Sequence, residues 1–296
     1  MDVSVIIVNY NTLELTKNTI DSVIEKTKNL NYEIILVDNS STDGSVEFFE
    51  REYKDKIIFI KNNENLGFGR ANNKGIEIAK GKYVFLLNSD TLLINNAIKI
   101  LFDFMEKNEN CGVCGGNLFD INLRPTNSFN MKMLSYKDEY INSIVNLFLK
   151  IFKLKKKSFN YTQIPLKVEI IIGADMFIRK NIFSKIGKFD EDFFMYHEES
   201  ELCFRILKNG YKIYSIPQAE IIHLEGRSSQ FKEKKFRMDR FHKYMFFYKT
   251  RGKKSLKWVY LLSQTKFLNL FDIKRFRINS EEYLRFKLFL ESRGIL

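Results

Sequence analysis

The sequence predicts an α/β fold built on a mixed, mostly parallel sheet with helices on both faces, and three observations carry that expectation. Short β-branched runs alternate with amphipathic stretches over the first 120 residues. Each intervening stretch has the length that a crossover between parallel strands requires. Polar side chains gather just past the carboxyl ends of the runs, where such sheets bind their ligands.

The predicted strands are VSVIIVN (3–9), EIILVD (33–38), KIIFIK (56–61), KYVFLLN (82–88) and GVCGGNLF (112–119), with helices at about 13–28, 43–53, 69–80 and 95–107. Strands this apolar must be covered on both faces. Residues 134–165 interrupt the alternation with an apolar, then basic stretch, which reads as an inserted helix or hairpin able to cover a substrate or touch a membrane. Order returns with VEIIIGADMFIRK (168–180), the acidic run 189–210, and strands near YKIYSI and AEIIHL. From residue 231 the chain is aromatic, basic and predicted helical.

Length and charge divide the chain. At 296 residues and 45% hydrophobic content it can fill one large domain plus an appendage. Residues 231–296 hold 18 Lys and Arg against 6 Asp and Glu, which accounts for the whole net charge of +12. The step predicts a domain boundary, with one large domain over 1–230 and a basic helical extension over 231–296. Asp2 stands where a signal peptide needs positive charge, and no run of eighteen uncharged apolar residues occurs, so the expectation is a cytoplasmic protein. Cys111 and Cys114 form a lone CxxC with Cys203 far away; without a second ligand pair they read as small buried residues.

Each strand end offers a functional and a plain reading. Asp38 can accept from a nucleobase or ribose, or shape a turn. In NLGFGRANNKG, Gly67 and Gly69 resemble a dinucleotide fingerprint, but Asn72 replaces the third glycine and the segment follows the third strand. Those glycines are instead expected to let backbone approach a ligand, with Arg70 free for a phosphate. The strand 82–88 delivers Asn88, Ser89 and Asp90 to the sheet edge. Asp90 suits a hard cation that neutralises a diphosphate, and its alternative is a helix cap ahead of LLINNAIKIL. Glu198, Glu199 and Glu201 crowd a helix start, either matching its dipole or raising one pKa toward that of a general base. His223 ends a strand before Gly226, Arg227, Ser228 and Ser229, where it is a structural residue or a second metal ligand.

Seven segments in order, VSVIIVNYN, ILVDNSSTDGS, NLGFGRANNKGI, YVFLLNSDT, GADMFIRK, FDEDFFMYHEESELCFRI and IIHLEGRSS, make residues 3–229 resemble glycosyltransferase family 2, in its bacterial rhamnosyltransferase-like branch with the GT-A fold. The resemblance implies that Asn9, Tyr10 and Asp38 hold base and ribose, and that Arg70 and Asn72 lie beside the nucleotide. Asn88 and Ser89 open the DxD-like triplet; Asp90 would bind Mn²⁺ or Mg²⁺, and His223 would meet the metal or diphosphate. Glu199, or Glu198 beside it, takes the place of the family's base. The implied reaction is an inverting transfer from dTDP-rhamnose or a UDP-sugar to a hydroxyl of a growing cell-surface glycan or lipid-linked oligosaccharide. Asn88 departs from the usual first Asp of the triplet, and Glu199 is one methylene longer than the usual base.

The basic, aromatic extension is expected to dock on an anionic membrane surface, placing the protein peripherally at the inner face of the cell membrane. Its alternative is packing onto the catalytic domain or a second subunit, and homo-oligomer formation stays open. No nucleic-acid partner is expected, since no recognition motif is present. A nucleotidyltransferase would need a glycine-rich basic loop after the first strand, where NYNTLEL stands, and a non-catalytic sugar or nucleic-acid binding module would not need carboxylates at two separate places.

Overall fold

The computed structural model describes residues 1–135, 158–224, 232–269 and 271–295. Strands β1 (Val3–Asn9), β2 (Tyr32–Asp38), β3 (Ile58–Lys61) and β4 (Tyr83–Asn88) are joined by α1 (Leu13–Lys26), α2 (Ser45–Glu52) and α3 (Phe68–Ile78). All four strands run parallel in the order β3-β2-β1-β4. Alternate residues divide between two cores: Ile6, Val84 and Leu86 face one, while Val5, Ile7, Phe85 and Leu87 face the other. A period of two with both faces buried is why these strands read as unbroken apolar runs.

The second half of the sheet mixes directions. It comprises β5 (Thr91–Leu93), α4 (Ala97–Lys107), β6 (Cys111–Phe119), the short β7 (Phe129–Asn130), β8 (Leu166–Val168) and β9 (Ile170–Ile171), then β10 (Asp175–Arg179), α5 (Phe183–Ile186), α6 (Glu198–Lys208) and β11 (Lys212–His223). β10 lies antiparallel between β4 and β6, and β11 runs parallel to β6 while pairing antiparallel with β8 and β5. The runs YKIYSI and AEIIHL are one strand. They join across Pro217, where the register with β6 shifts between Ser215 and Glu220, because proline has no N–H to give the ladder.

The extension folds as α7 (Lys232–Arg251), α8 (Lys253–Asn269) and α9 (Ile273–Glu291), which pack on one another, with α7 also against α6. Its charge sets it apart, but its core does not. Tyr244, Phe246, Phe247 and Phe286 are buried in the same apolar cluster as Ile6, Val37, Leu202 and Ile206. Most of the predicted inserted segment, and the loop containing Gly226, Arg227, Ser228 and Ser229, lie outside the described residues. Cys111, Cys114 and Cys203 are free and buried.

Candidate functional site

Parallel register brings the polar strand ends to one edge. Asn9 stands opposite Asp38, and Val8 opposite Asn88. The Asn9 amide donates to Asp38 Oδ2 at 2.7 Å and to Ser41 Oγ at 3.0 Å, and its carbonyl accepts from Thr12 and Thr16 at 2.8 and 2.7 Å. The other Asp38 oxygen accepts from the Ser41 N–H at 2.8 Å. Asn9 and Asp38 are both buried, so the structure places them in a closed, mutually satisfied network. Tyr10, next along the chain, is 47% exposed and presents the open surface at this end.

The Asn88–Thr91 turn is built as tightly. Thr91 Oγ1 donates to the Asn88 carbonyl at 2.7 Å, and the Thr19 hydroxyl lies 2.9 and 2.8 Å from the Ser89 and Thr91 carbonyl oxygens. The Ser89 hydroxyl is 3.2 Å from that of Thr12. Thr91 pairs with His223 in the β5–β11 ladder, and the Leu224 N–H donates to the Asp90 carbonyl at 2.9 Å. His223 Nε2 therefore stands 3.3 Å from Asp90 Oδ1 and 3.4 Å from Asn88 Nδ2. The capping alternative for Asp90 is overturned: it precedes strand β5, and helix α4 begins only at Ala97, after Asn96.

One carboxylate and one imidazole converging in this way fit Mn²⁺ or Mg²⁺, whose remaining positions are filled by phosphate and water oxygens. Among the described residues no group of three or more His, Cys, Asp or Glu could hold a metal by itself. Substrate oxygens would have to complete the shell.

Just before α6, Tyr196 (φ 73°) and His197 (φ 69°) are two successive non-glycine residues in the left-handed region. Such residues cost about 1–3 kcal/mol each and persist where their surroundings over-determine them. Here the surroundings close on both sides. From α3, Phe68 N–H donates to the Phe194 carbonyl at 2.9 Å, and Asn73 exchanges two hydrogen bonds with the Phe189 backbone at 2.9 and 3.0 Å. Arg70 Nε donates to the Glu191 carbonyl at 2.6 Å. A side chain on Gly67 would sit 2.1 Å from the Phe194 oxygen, and one on Gly69 would press on Phe189 at 3.1 Å. These glycines admit the acidic segment, which corrects the expectation that they admit a ligand. Asn72 is buried and donates within its own helix to Phe68 at 3.0 Å.

From the extension, Lys249 Nζ reaches Asp190 and Asp192 at 2.5 Å each, and Arg293 meets Asp192 at 2.7 Å. His197 Nε2 lies 3.1 Å from Asp239 Oδ1. Burial would raise the Asp239 pKa, but the positive charges of Lys243 and Arg240, with the contact to His197, outweigh it and hold the carboxyl well below its usual range. His242 accepts the Phe194 N–H at 3.3 Å; burial and the neighbouring His197 push its pKa down to about 4, which keeps that ring nitrogen an acceptor.

The three glutamates separate by environment. Glu201 is clamped by Arg205 through bonds of 2.7 and 2.6 Å, and Arg205 also binds the Ile186 and Lys188 carbonyls. Glu198 is buried, its Oε2 has no hydrogen-bond partner, and burial reinforced by Glu199 drives its pKa well up. Both effects favour its neutral form. Glu199 is half-buried and lies against Gly173, its Cβ 3.8 Å from where a side chain there would begin. The next residue, Ala174, accepts the Asn88 N–H at 3.0 Å. The strand-end turn and the acidic helix thus meet across Gly173 and Ala174. Asp175, passed over in the sequence, is a second buried carboxyl: Oδ2 accepts from Gly116 at 2.5 Å and burial raises its pKa.

A concavity of about 680 Å³ opens elsewhere, at the opposite end of β4, lined by Lys82, Lys180 and Lys188 among others. Its one carboxylate, Glu77, is paired with Lys188 at 2.5 Å. Sequence reasoning missed Asn73, Asp239, His242, Lys249 and Arg293. The visible signal was the acidic pair Asp190 and Asp192, facing a chain whose positive surplus lies wholly beyond residue 230.

A mixed sheet with helices on both faces, polar strand ends gathered at one edge and an acidic helix meeting them defines a GT-A architecture. The chain belongs to glycosyl transferase family 2, whose family model matches residues 4–187. It is 29% identical over 213 residues, 71% of its length, to an uncharacterised glycosyltransferase of Methanocaldococcus jannaschii. It is 38% identical over 104 residues, 35% of its length, to the Escherichia coli UDP-Glc:alpha-D-GlcNAc-diphosphoundecaprenol beta-1,3-glucosyltransferase WfaP. The matches span 66% and 41% of those relatives. The crystal structure of GalNAc-T7 with UDP, GalNAc and Mn²⁺ shares the fold, with a TM-score of 0.57 at 19% identity over 83% of this chain and 50% of that one.

Proposed function

We propose that this protein is an inverting glycosyltransferase that moves a sugar from a nucleotide-diphospho sugar, dTDP-rhamnose or a UDP-sugar, to a hydroxyl of a growing cell-surface glycan or lipid-linked oligosaccharide. The observation that carries the reading is the approach of two acid sites to one short turn: Asn88 bonds Ala174, and Glu199 lies against Gly173. On the donor side, the exposed Tyr10 stands beside the closed Asn9 and Asp38 pair to hold base and ribose, while Asn88 and Ser89 shape the edge. Arg70 and Asn72 act from α3, which borders the acidic segment.

On the acceptor side the two glutamates divide their roles. Glu198, whose burial favours its protonated form, is the poorer proton acceptor. Glu199 takes the proton of the acceptor hydroxyl, whose oxygen attacks the anomeric carbon as the bond to the diphosphate breaks. The sugar is transferred with inversion, and the nucleoside diphosphate leaves. Asp90 and His223 would hold Mn²⁺ or Mg²⁺, which would supply positive charge where the diphosphate leaves.

The acceptor class follows the Escherichia coli relative, whose name specifies UDP-glucose and a diphosphoundecaprenol-linked sugar. No helix among the described residues is long and apolar enough to cross a membrane. For a lipid-linked acceptor, the basic extension supports peripheral attachment at the inner face of the cell membrane. A panel of nucleotide sugars scored by thermal shift, with and without Mn²⁺, tests the reading. Stabilisation by one donor names the substrate. A flat panel under both conditions would overturn it.

A further inference from the structure

Most aromatic residues of the extension are used up in packing, but apolar surface is left over, Leu284 and Leu288 on α9 and a longer strip on α8. On α8, Leu256, Val259 and Phe267 are buried, while Lys254, Lys257, Trp258, Leu261 and Leu268 are exposed. At 3.6 residues per turn these five fall on one face, opposite the buried three.

The strip continues at the corner after α8. Asp272 N–H donates to the Phe267 carbonyl at 2.9 Å and Phe271 N–H to that of Leu268 at 3.0 Å, the double closure in which glycine is the usual residue. Phe271 occupies it with φ 51° and a ring 90% exposed, and Ile273 follows at 80%. The chain accepts a strained backbone and receives no packing for that ring.

Charge identifies the occupant. Helix α8 has four lysines and no acidic residue. Among the described residues no ion pair engages Lys253, Lys254 or Lys257. The nearby acids are already committed, Asp272 to Arg275 and Glu233 to Lys274 and Arg237. A two-fold contact between copies through this face would bring the lysines of both together. An apolar strip with a tryptophan, rimmed by uncompensated lysines, matches the boundary of an anionic bilayer, where the rings enter the headgroup layer and ammonium groups meet phosphates.

We propose that the outer face of α8 and the Phe271–Ile273 corner dock the protein on an anionic lipid surface. The proposal rests on the lipid-linked acceptor reading and specifies which part of the basic extension makes the contact. The buried aromatics of α7 and α9 take no part.

Trp258 is the only tryptophan in the chain, so its emission reports this face alone. With vesicles of phosphatidylcholine and phosphatidylglycerol, the full-length protein should show a blue shift and several-fold less quenching by iodide; pure phosphatidylcholine should produce neither. Phe271→Ser combined with Ile273→Ser should weaken vesicle binding at least about tenfold, the effect of one large apolar side chain. Transfer to a water-soluble acceptor should be unchanged in that variant. An unshifted spectrum with anionic vesicles overturns the proposal. So does a shift that tracks protein concentration without lipid, which would assign the face to a second copy. Vesicle binding without transfer from any donor would refute the transferase reading while leaving the docking face intact.

Discussion

The donor edge and the acidic segment are both polar and both held rigid, but they draw support from different parts of the chain. At the donor edge, Asn9, Asp38, Ser41, Thr19 and Thr91 bond to one another within the first parallel strands and their crossovers, with His223 completing the turn. The segment bearing Glu199 makes its holding bonds outward, to α3 on one side and to α7 and Arg293 on the other. On the proposed reading, binding and base chemistry are therefore separable. A change in the extension, far from any substrate contact, should act on the base and spare the donor.

The largest effect should come from the base itself. Glu199→Gln should lower kcat on the order of 10²–10⁴-fold, the range for losing a general base, with donor affinity by calorimetry unchanged. Retained turnover would move the role to another group. Lys249→Met tests the long-range support, since it leaves Asp190 and Asp192 without their shared cation. It should reduce kcat up to about 10²-fold through misplacement of Glu199, with the donor KM nearly constant and recovery in Lys249→Arg. An equal rise in donor KM would erase the distinction between the two regions.

On the donor side, Asn9→Ala removes the amide that serves Asp38 Oδ2 and Ser41. A buried acceptor left unpaired should cost about 1–3 kcal/mol in a urea titration. The smallest effect should be a gain. The Glu198 pKa is raised in the fold, so its contribution is fully present below the ordinary value of 4.5 and is lost as pH rises toward the folded value. Glu198→Gln should match the parent near pH 4 and melt higher at pH 7, by roughly 2 °C or more. A lower melting temperature at pH 7 would mean that the buried carboxyl is ionised and paired.

What the sequence disclosed, and what it withheld, follows the same division. The strands of the first half could be placed within about two residues because a strand buried on both faces is written as a short apolar run. Asp90 and His223 could be linked because each ends such a run. The mixed directions in the second half were harder to see: β5 is three residues and β10 five, too short to show a period, and Pro217 makes one strand look like two. The partners of the acidic segment were hidden because charges 57 and 59 positions apart, Lys249 with Asp192 and Asp190, carry no local signature. The extension's aromatics advertised a surface, yet most of them fill the common core, since composition does not tell which face of a helix a ring occupies.

The clasp around Tyr196 and His197 also has an order in time. A chain made from its N terminus presents the β1–β4 half first, and those strands can pair while later residues are still being added. The segment carrying Glu199 has to wait: its left-handed turn is held by Asp239, His242 and Lys249 of α7, and Arg293 follows only after α9. The Asn9 and Asp38 network can form on a growing chain, but the Asp90–His223 pair and the placement of Glu199 both wait for later residues. A complete candidate site is thereby a property of the finished molecule.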